Sequence, residues 1–143
     1  MNGPVPANQQ LLRRALFCNA GFSVFSAMII VFWHNRLMQW LGIPKGFEIL
    51  YLGIGLMVFA VWLVLNGARV PIKMLDARMA IAMDLAWVVL SIPVVVFAPL
   101  ASPGTGAVTV VAGVVLSFAV AQWIGVRRIT GASQETIQEV HRA

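Results

Sequence analysis

The sequence predicts an all-α membrane protein built as a bundle of four transmembrane helices. Of its 143 residues, 60% are hydrophobic and only 10% are charged, whereas roughly 25% of the residues of a soluble domain are charged. Four apolar segments have about 20 residues each, the length with which a helix crosses about 30 Å of hydrocarbon. So little of the chain lies outside these segments that we predict a single integral membrane domain over residues 1–143.

The first apolar segment, Ala15 to Trp33, follows two arginines and predicts a helix over about 12–34. It is too long for the apolar region of a signal peptide and lacks a small-residue cleavage site, so we expect a retained helix. The loop after it carries three apolar side chains at helical spacing: Leu37, Trp40 and Leu41. This spacing predicts a short apolar face that lies on the membrane surface.

The second and third apolar segments run from Ile49 to Leu65 and from Met79 to Ala98. They predict helices over about 47–68 and 71–98, because a proline such as Pro71 fits the first turn of a helix.

The fourth apolar segment, Ala107 to Val126, predicts a helix over about 105–128, followed by a short cytoplasmic tail over 129–143. Ser133 is suited to cap a separate short helix in that tail. Small residues recur at every fourth position of the fourth segment, and those nearest its centre are Gly113, Ser117 and Ala121. They predict close helix packing, either within the bundle or against a homo-oligomer or a membrane-protein partner.

The basic residues predict which side of the membrane holds the termini. With four spans, both termini and the second loop share one side, and only Arg36 and Lys45 lie on the other. The remaining basic residues are Arg13, Arg14, Arg69, Lys73, Arg78, Arg127, Arg128 and Arg142. Because Lys and Arg are concentrated in cytoplasmic segments, we expect a multi-pass protein of a bacterial inner membrane with both termini in the cytoplasm.

Asp84 is the residue that points most directly to a functional site, because it lies inside the third apolar segment. A charged side chain in a membrane helix costs on the order of 2.5 to 3.5 kcal/mol on insertion scales. Asn19, Gln122 and Asn66 lie at nearly the same depth in the other three segments, counted from the basic residues at the segment ends. We predict that this polar layer binds a ligand or a proton. The alternative is that the polar groups only join neighbouring helices.

The helix faces of Asn19 and Asp84 continue the polar pattern. Four further side chains extend those faces: Ser23 and Ser26 in the first segment, and Trp87 and Ser91 in the third. The two segments match at an offset of 65 residues, which pairs Asn19 with Asp84. This register indicates a duplicated helical hairpin, with coincidence as the alternative. A duplication predicts that the first and third helices face each other, so that Asn19 meets Asp84.

The remaining residue types argue against several chemistries. His34 and His141 lie on opposite sides of the membrane and Cys18 is alone, so we expect neither a metal site nor a haem. Serine nucleophiles lack an intramembrane base, and phosphate-binding glycine motifs are absent, so we predict no enzyme and no cofactor. The basic residues form no contiguous stripe, which favours the lipid bilayer over nucleic acid as the partner.

In its layout the chain resembles the small four-helix bacterial inner-membrane proteins of the DoxX-like type. The features that carry this resemblance are a short polar start, the Leu-Gly-Ile-Pro turn at Leu41 to Pro44 and an arginine-rich end of the fourth segment. The resemblance implies an architecture and transfers no catalytic residue.

Two functions fit these patterns. The first is a non-enzymatic integral membrane protein, either an accessory subunit of a membrane complex or a binder of a small hydrophobic ligand. The alternative is a proton-coupled small-molecule transporter that works as an oligomer through Asp84, close to the kink that Pro93 predicts in the third helix.

Overall fold

The computed structural model of the protein describes the backbone of residues 9–42, 46–98 and 100–142, and the side chains of all of these except 46–48 and 132–142. Pro44 and Lys45 of the predicted first loop, and the side chain of Ser133, lie outside that description. Helices are the one regular structure of the described residues: α1 (Gln10–Leu41), α2 (Gly46–Ala68), α3 (Met74–Phe97) and α4 (Ser102–Arg142). All four are long and apolar enough to cross a membrane, which confirms the predicted fold class.

Helix α1 extends beyond the predicted span. It continues across a kink at Trp33 (φ −118°, ψ 20°) as far as Leu41, because no proline or glycine interrupts this stretch. The helical spacing around Leu37 is therefore confirmed, but Leu41 is buried in the bundle rather than on the membrane surface. The helix ends at Gly42, whose φ of 75° lies in the left-handed region that glycine adopts without strain.

The prediction that Pro71 lies in the first turn of α3 is wrong, because this helix begins at Met74. The physical reason is the conformation of the two residues that precede the helix. The side chain of Ile72 is buried in the apolar core, and the backbone of Lys73 is extended (φ −73°, ψ 120°). The helix can start only after that residue. Arg69 on the same connection forms an ion pair with Asp76 in the first turn of α3, with 2.9 Å between Nη1 and Oδ2.

Helix α4 runs without interruption from Ser102 to Arg142. The predicted end near residue 128 and the separate tail helix are therefore wrong. No proline follows Arg128, and the single glycine of that stretch, Gly131, leaves the helix intact. The stretch Ser102–Gly131 of α4 is long and apolar enough to cross a membrane.

Packing in the bundle is uneven. Helix α1 packs along α2 and α4, and α3 packs along α4, whereas α2 and α3 hardly contact each other. Three glycines permit the closest approaches to α1. A β-carbon at Gly104 would lie 2.9 Å from the carbonyl oxygen of Leu41. A β-carbon at Gly53 would lie 2.9 Å from Cγ2 of Ile30, and one at Gly125 would lie 2.8 Å from Cβ and 2.9 Å from Cα of Leu12. The hairpins α1–α2 and α3–α4 each form a close pair, which agrees with the proposed duplication. The duplication itself stays a prediction.

The largest cluster of buried apolar side chains fills the end of the bundle at which α1 begins, which we call the proximal end. Its members come from all four helices and from the α2–α3 connection: Leu12, Leu16, Ala20, Leu63, Ile72, Ala77, Ala80, Val126 and Ile129. At the distal end, where α1 meets α2 and α3 meets α4, fewer of the described side chains are buried. The proximal end is therefore closed, and open space is left in the distal half.

Candidate functional site

Three of the four residues of the predicted polar layer meet in the centre of the bundle. The Asn19 amide Nδ2 donates a hydrogen bond to Oδ2 of Asp84 over 2.7 Å, and the Gln122 amide Nε2 donates to the same oxygen over 2.9 Å. All three side chains are at most 3% exposed. The layer thus joins α1, α3 and α4, and the predicted meeting of Asn19 with Asp84 is confirmed.

Asp84 has no basic partner among the described residues. Both of its hydrogen bonds come from neutral amides and end on Oδ2, while Oδ1 accepts none from the described residues. The salt bridge that the described residues form joins Arg69 to Asp76, near the proximal end. A carboxyl group that is buried without a cation can still be stabilised by amide donors, yet it keeps a free acceptor oxygen and, when ionised, an uncompensated charge.

Asn66 is buried but does not join the layer. Its side chain is 3% exposed, and its Nδ2 has no hydrogen-bond partner among the described residues. Asn66 lies only three residues before Arg69, whereas Asp84 lies six residues beyond Arg78. This shallower position accounts for its separation from Asp84.

A cavity lies on the distal side of the polar layer. Its inner part has a volume of about 300 Å³ and is lined by side chains of all four helices, with Asn19 and Asp84 at its proximal end. An outer part of about 570 Å³ continues toward the distal end. The two parts adjoin, because they share five wall residues: Ser26, Leu52, Leu56, Trp87 and Val111. We refer to them together as the distal cavity.

The distal cavity opens sideways between α2 and α3. These two helices hardly contact each other, and residues from both helices line the cavity while remaining exposed on the outer surface. Tyr51 is 58% exposed, Met83 49% and Leu90 63%. In a membrane this gap faces the lipid chains, so an apolar molecule can reach the cavity from the bilayer.

Aromatic rings surround the inner part of the cavity. Phe22, Tyr51, Phe59 and Trp87 all line it. Tyr51 and Phe59 were not among the predicted site residues, although the sequence carries a signal for them. They lie eight residues apart on α2 with Gly55 midway, so the three share one helix face. No Lys, Arg or His is among the described residues that line either part.

The predicted serines and Trp87 also belong to the cavity. Ser23 lines the inner part and Ser26 lines both parts, whereas Ser91 lines the outer part. The Ser91 hydroxyl donates a hydrogen bond to the Trp87 carbonyl over 2.8 Å. Two buried polar atoms of this region, Nε1 of Trp87 and Oε1 of Gln122, have no partner among the described residues.

The small residues predicted to pack helix α4 do not pack the bundle at its centre. Gly113 and Ser117 are exposed, Ala121 is partly buried, and a β-carbon at Gly113 would meet no atom within 4 Å. Helix α4 instead approaches α1 closely at Gly104 and Gly125. Within the small-residue stripe the contact falls at Gly125 rather than Gly113, because the stripe rotates around the helix by about 40° at each step of four residues.

In the part of the chain that the structure describes, no three His, Cys, Asp or Glu side chains converge on a point that could hold a metal ion. No family model matches this chain, and comparison with curated proteins and with solved structures finds no match. The chemistry of the cavity therefore carries the functional inference.

Proposed function

We propose that this protein binds a small hydrophobic ligand inside the membrane, in the distal cavity. The observation that carries the proposal is an apolar cavity whose described lining has one carboxylate group, at the proximal end, together with an opening toward the bilayer. The volumes of its two parts, about 300 and 570 Å³, lie within the usual size range of small-molecule sites, as does a mostly apolar wall with few polar groups.

The polar end of the cavity supplies hydrogen-bonding groups, which the apolar wall lacks. A hydrophobic molecule dissolved in lipid gains little by moving to another apolar environment, so packing and polar contacts must provide the affinity. Oδ1 of Asp84 is an acceptor without a described partner, and Ser23 lies one helical turn beyond Asn19 on the same wall. A ligand with an apolar body and one polar group would place that group at Asp84.

The experiment that tests this function is purification in a mild uncharged detergent followed by native mass spectrometry. We expect the protein to retain a small molecule that is released by collisional activation. A protein that carries no small molecule, even after addition of a lipid extract from its host membrane, would contradict the proposal. A stable protein partner in place of a small molecule would favour an accessory subunit, whose contact surface we would place at the exposed Gly113 and Ser117.

A proton-coupled transporter is the second candidate, favoured by the absence of a basic partner for Asp84 among the described residues. A transporter needs a carboxylate that exchanges a proton for its substrate, and an access path that alternates between two sides. In this structure the apolar core closes the proximal side, so transport requires a second conformation in which that core opens. Uptake by proteoliposomes under a pH gradient tests this candidate, and Asp84→Asn should abolish the uptake without unfolding the protein.

A further inference from the structure

We infer that the ligand of the distal cavity is a hydrophobic organic cation, whose positive charge lies beside Asp84 and whose apolar groups fill the aromatic part of the cavity. This inference rests on the proposed function, because it names the chemical class of the ligand at the same site.

The charge of the site favours a positively charged ligand. Among the described residues that line the cavity, Asp84 is the one acidic residue, and none is Lys, Arg or His. Its Oδ2 already accepts two amide hydrogen bonds, which stabilise an ionised carboxyl, and its Oδ1 accepts none from the described residues. A cation that enters the cavity therefore supplies the counter-charge that the described chain does not.

The wall around Asp84 is aromatic, which also favours a cation. Phe22, Tyr51, Phe59 and Trp87 line the inner part together with Asp84. The faces of aromatic rings attract cations, by about 0.5–1 kcal/mol at exposed sites and about 2 kcal/mol or more when water is excluded. The ionised Asp84 would repel an anion, and a neutral molecule would leave the charge of Asp84 unbalanced. A carboxylate within an aromatic wall thus favours a cation over both.

The path into the cavity also suits a hydrophobic cation. A hydrophobic cation concentrates at the membrane, and the gap between α2 and α3 connects the lipid with the cavity. A small inorganic cation lacks the apolar surface to fill this wall. The cavity therefore selects for a delocalised or shielded charge with apolar substituents.

The experiment compares two ions of the same shape and opposite charge, tetraphenylphosphonium and tetraphenylborate. Binding of each to the full chain in an uncharged detergent is measured by isothermal titration calorimetry, for the wild type, Asp84→Asn and Asp84→Glu. We expect Asp84→Asn to weaken tetraphenylphosphonium binding by at least about tenfold, which corresponds to about 1.4 kcal/mol. Asp84→Glu should restore much of the affinity, and tetraphenylborate should bind no more tightly to the wild type than to Asp84→Asn.

Several results would overturn the inference. One is equal tetraphenylphosphonium binding by the wild type and a folded Asp84→Asn, and another is a wild type that prefers the borate. If Asp84→Asn does not fold, the comparison of the two ions on the wild type still tests the inference. After subtraction of detergent blanks, a cation site must bind the phosphonium more tightly than the borate. If neither ion binds while the purified protein retains a neutral apolar molecule, the cation inference fails and the proposed function stands. If the protein also retains nothing, both fail.

Discussion

Replacing Gly125 with leucine is expected to be among the most destabilising single changes in this protein. A β-carbon at this position would lie 2.8 and 2.9 Å from Cβ and Cα of Leu12, so backbone as well as side-chain atoms must move apart. Overpacking of this kind costs about 1–3 kcal/mol, and more when the backbone blocks relaxation. Because the contact joins α1 to α4 beside the proximal core, we expect loss of the folded monomer in detergent, or a large fall in the melting temperature.

The matched control for this prediction is Gly113→Leu on the same helix. A β-carbon at Gly113 would meet nothing within 4 Å, and the residue is exposed, so this variant should melt within a few degrees of the wild type. Thermal unfolding followed by size-exclusion chromatography compares the two. Equal melting temperatures for Gly125→Leu and Gly113→Leu would show that α1 and α4 do not approach at Gly125.

The second large effect is expected from Asp84→Leu. This change leaves the Asn19 and Gln122 amides buried without their shared acceptor. Each unsatisfied buried group costs about 1–3 kcal/mol, so the loss of two partners should lower the free energy of unfolding by about 2–6 kcal/mol. Asp84→Asn keeps an oxygen acceptor of similar size and should remain within about 1 kcal/mol of the wild type.

Denaturation of the purified variants, followed by circular dichroism, measures these differences. If Asp84→Leu is as stable as Asp84→Asn, the hydrogen bonds of Asn19 and Gln122 to Asp84 do not stabilise the folded protein, and the prediction is wrong. The stability of Asp84→Asn also shows whether this variant is folded well enough to be compared with the wild type in the binding and transport experiments.

Much of the fold could be predicted from the sequence because the bilayer imposes a simple constraint. Each span must be a helix of about 20 apolar residues, so four segments gave four helices. The ends were harder to predict, since they depend on tertiary contacts. Ile72 delays the start of α3 by being buried in the core, and α1 continues beyond Trp33 because nothing in the following stretch breaks a helix.

The polar layer was accessible from the sequence, whereas the cavity was not. Counting residues inward from the basic ends placed Asn19, Asp84 and Gln122 at one depth, because helix rise is constant. The cavity depends instead on the separation of α2 from α3, which results from how each packs against its other neighbours. The rotation of α4 about its own axis could not be predicted either. Its small-residue stripe drifts around the helix, so Gly113 was favoured, although the glycines of α4 that approach α1 closely are Gly104 and Gly125.

A substitution at Gly55 allows the cavity to be blocked without disturbing the fold. Gly55 lines the inner part, and a β-carbon there would meet no atom within 4 Å. Gly55→Trp therefore places a large ring at the cavity. Gly21→Trp is its matched control, because Gly21 is also free of neighbours within 4 Å but is not among the residues that line the cavity.

The most direct measurement is photolabelling of the protein and these two variants with two small apolar diazirines, one neutral and one carrying a quaternary ammonium group, followed by identification of the labelled residues. In the wild type and in Gly21→Trp we expect saturable labelling of cavity residues such as Phe59 and Trp87, and in Gly55→Trp we expect that labelling to be lost. If labelling by both probes fails to saturate, or is the same in all three proteins, that result would contradict a ligand site in the distal cavity.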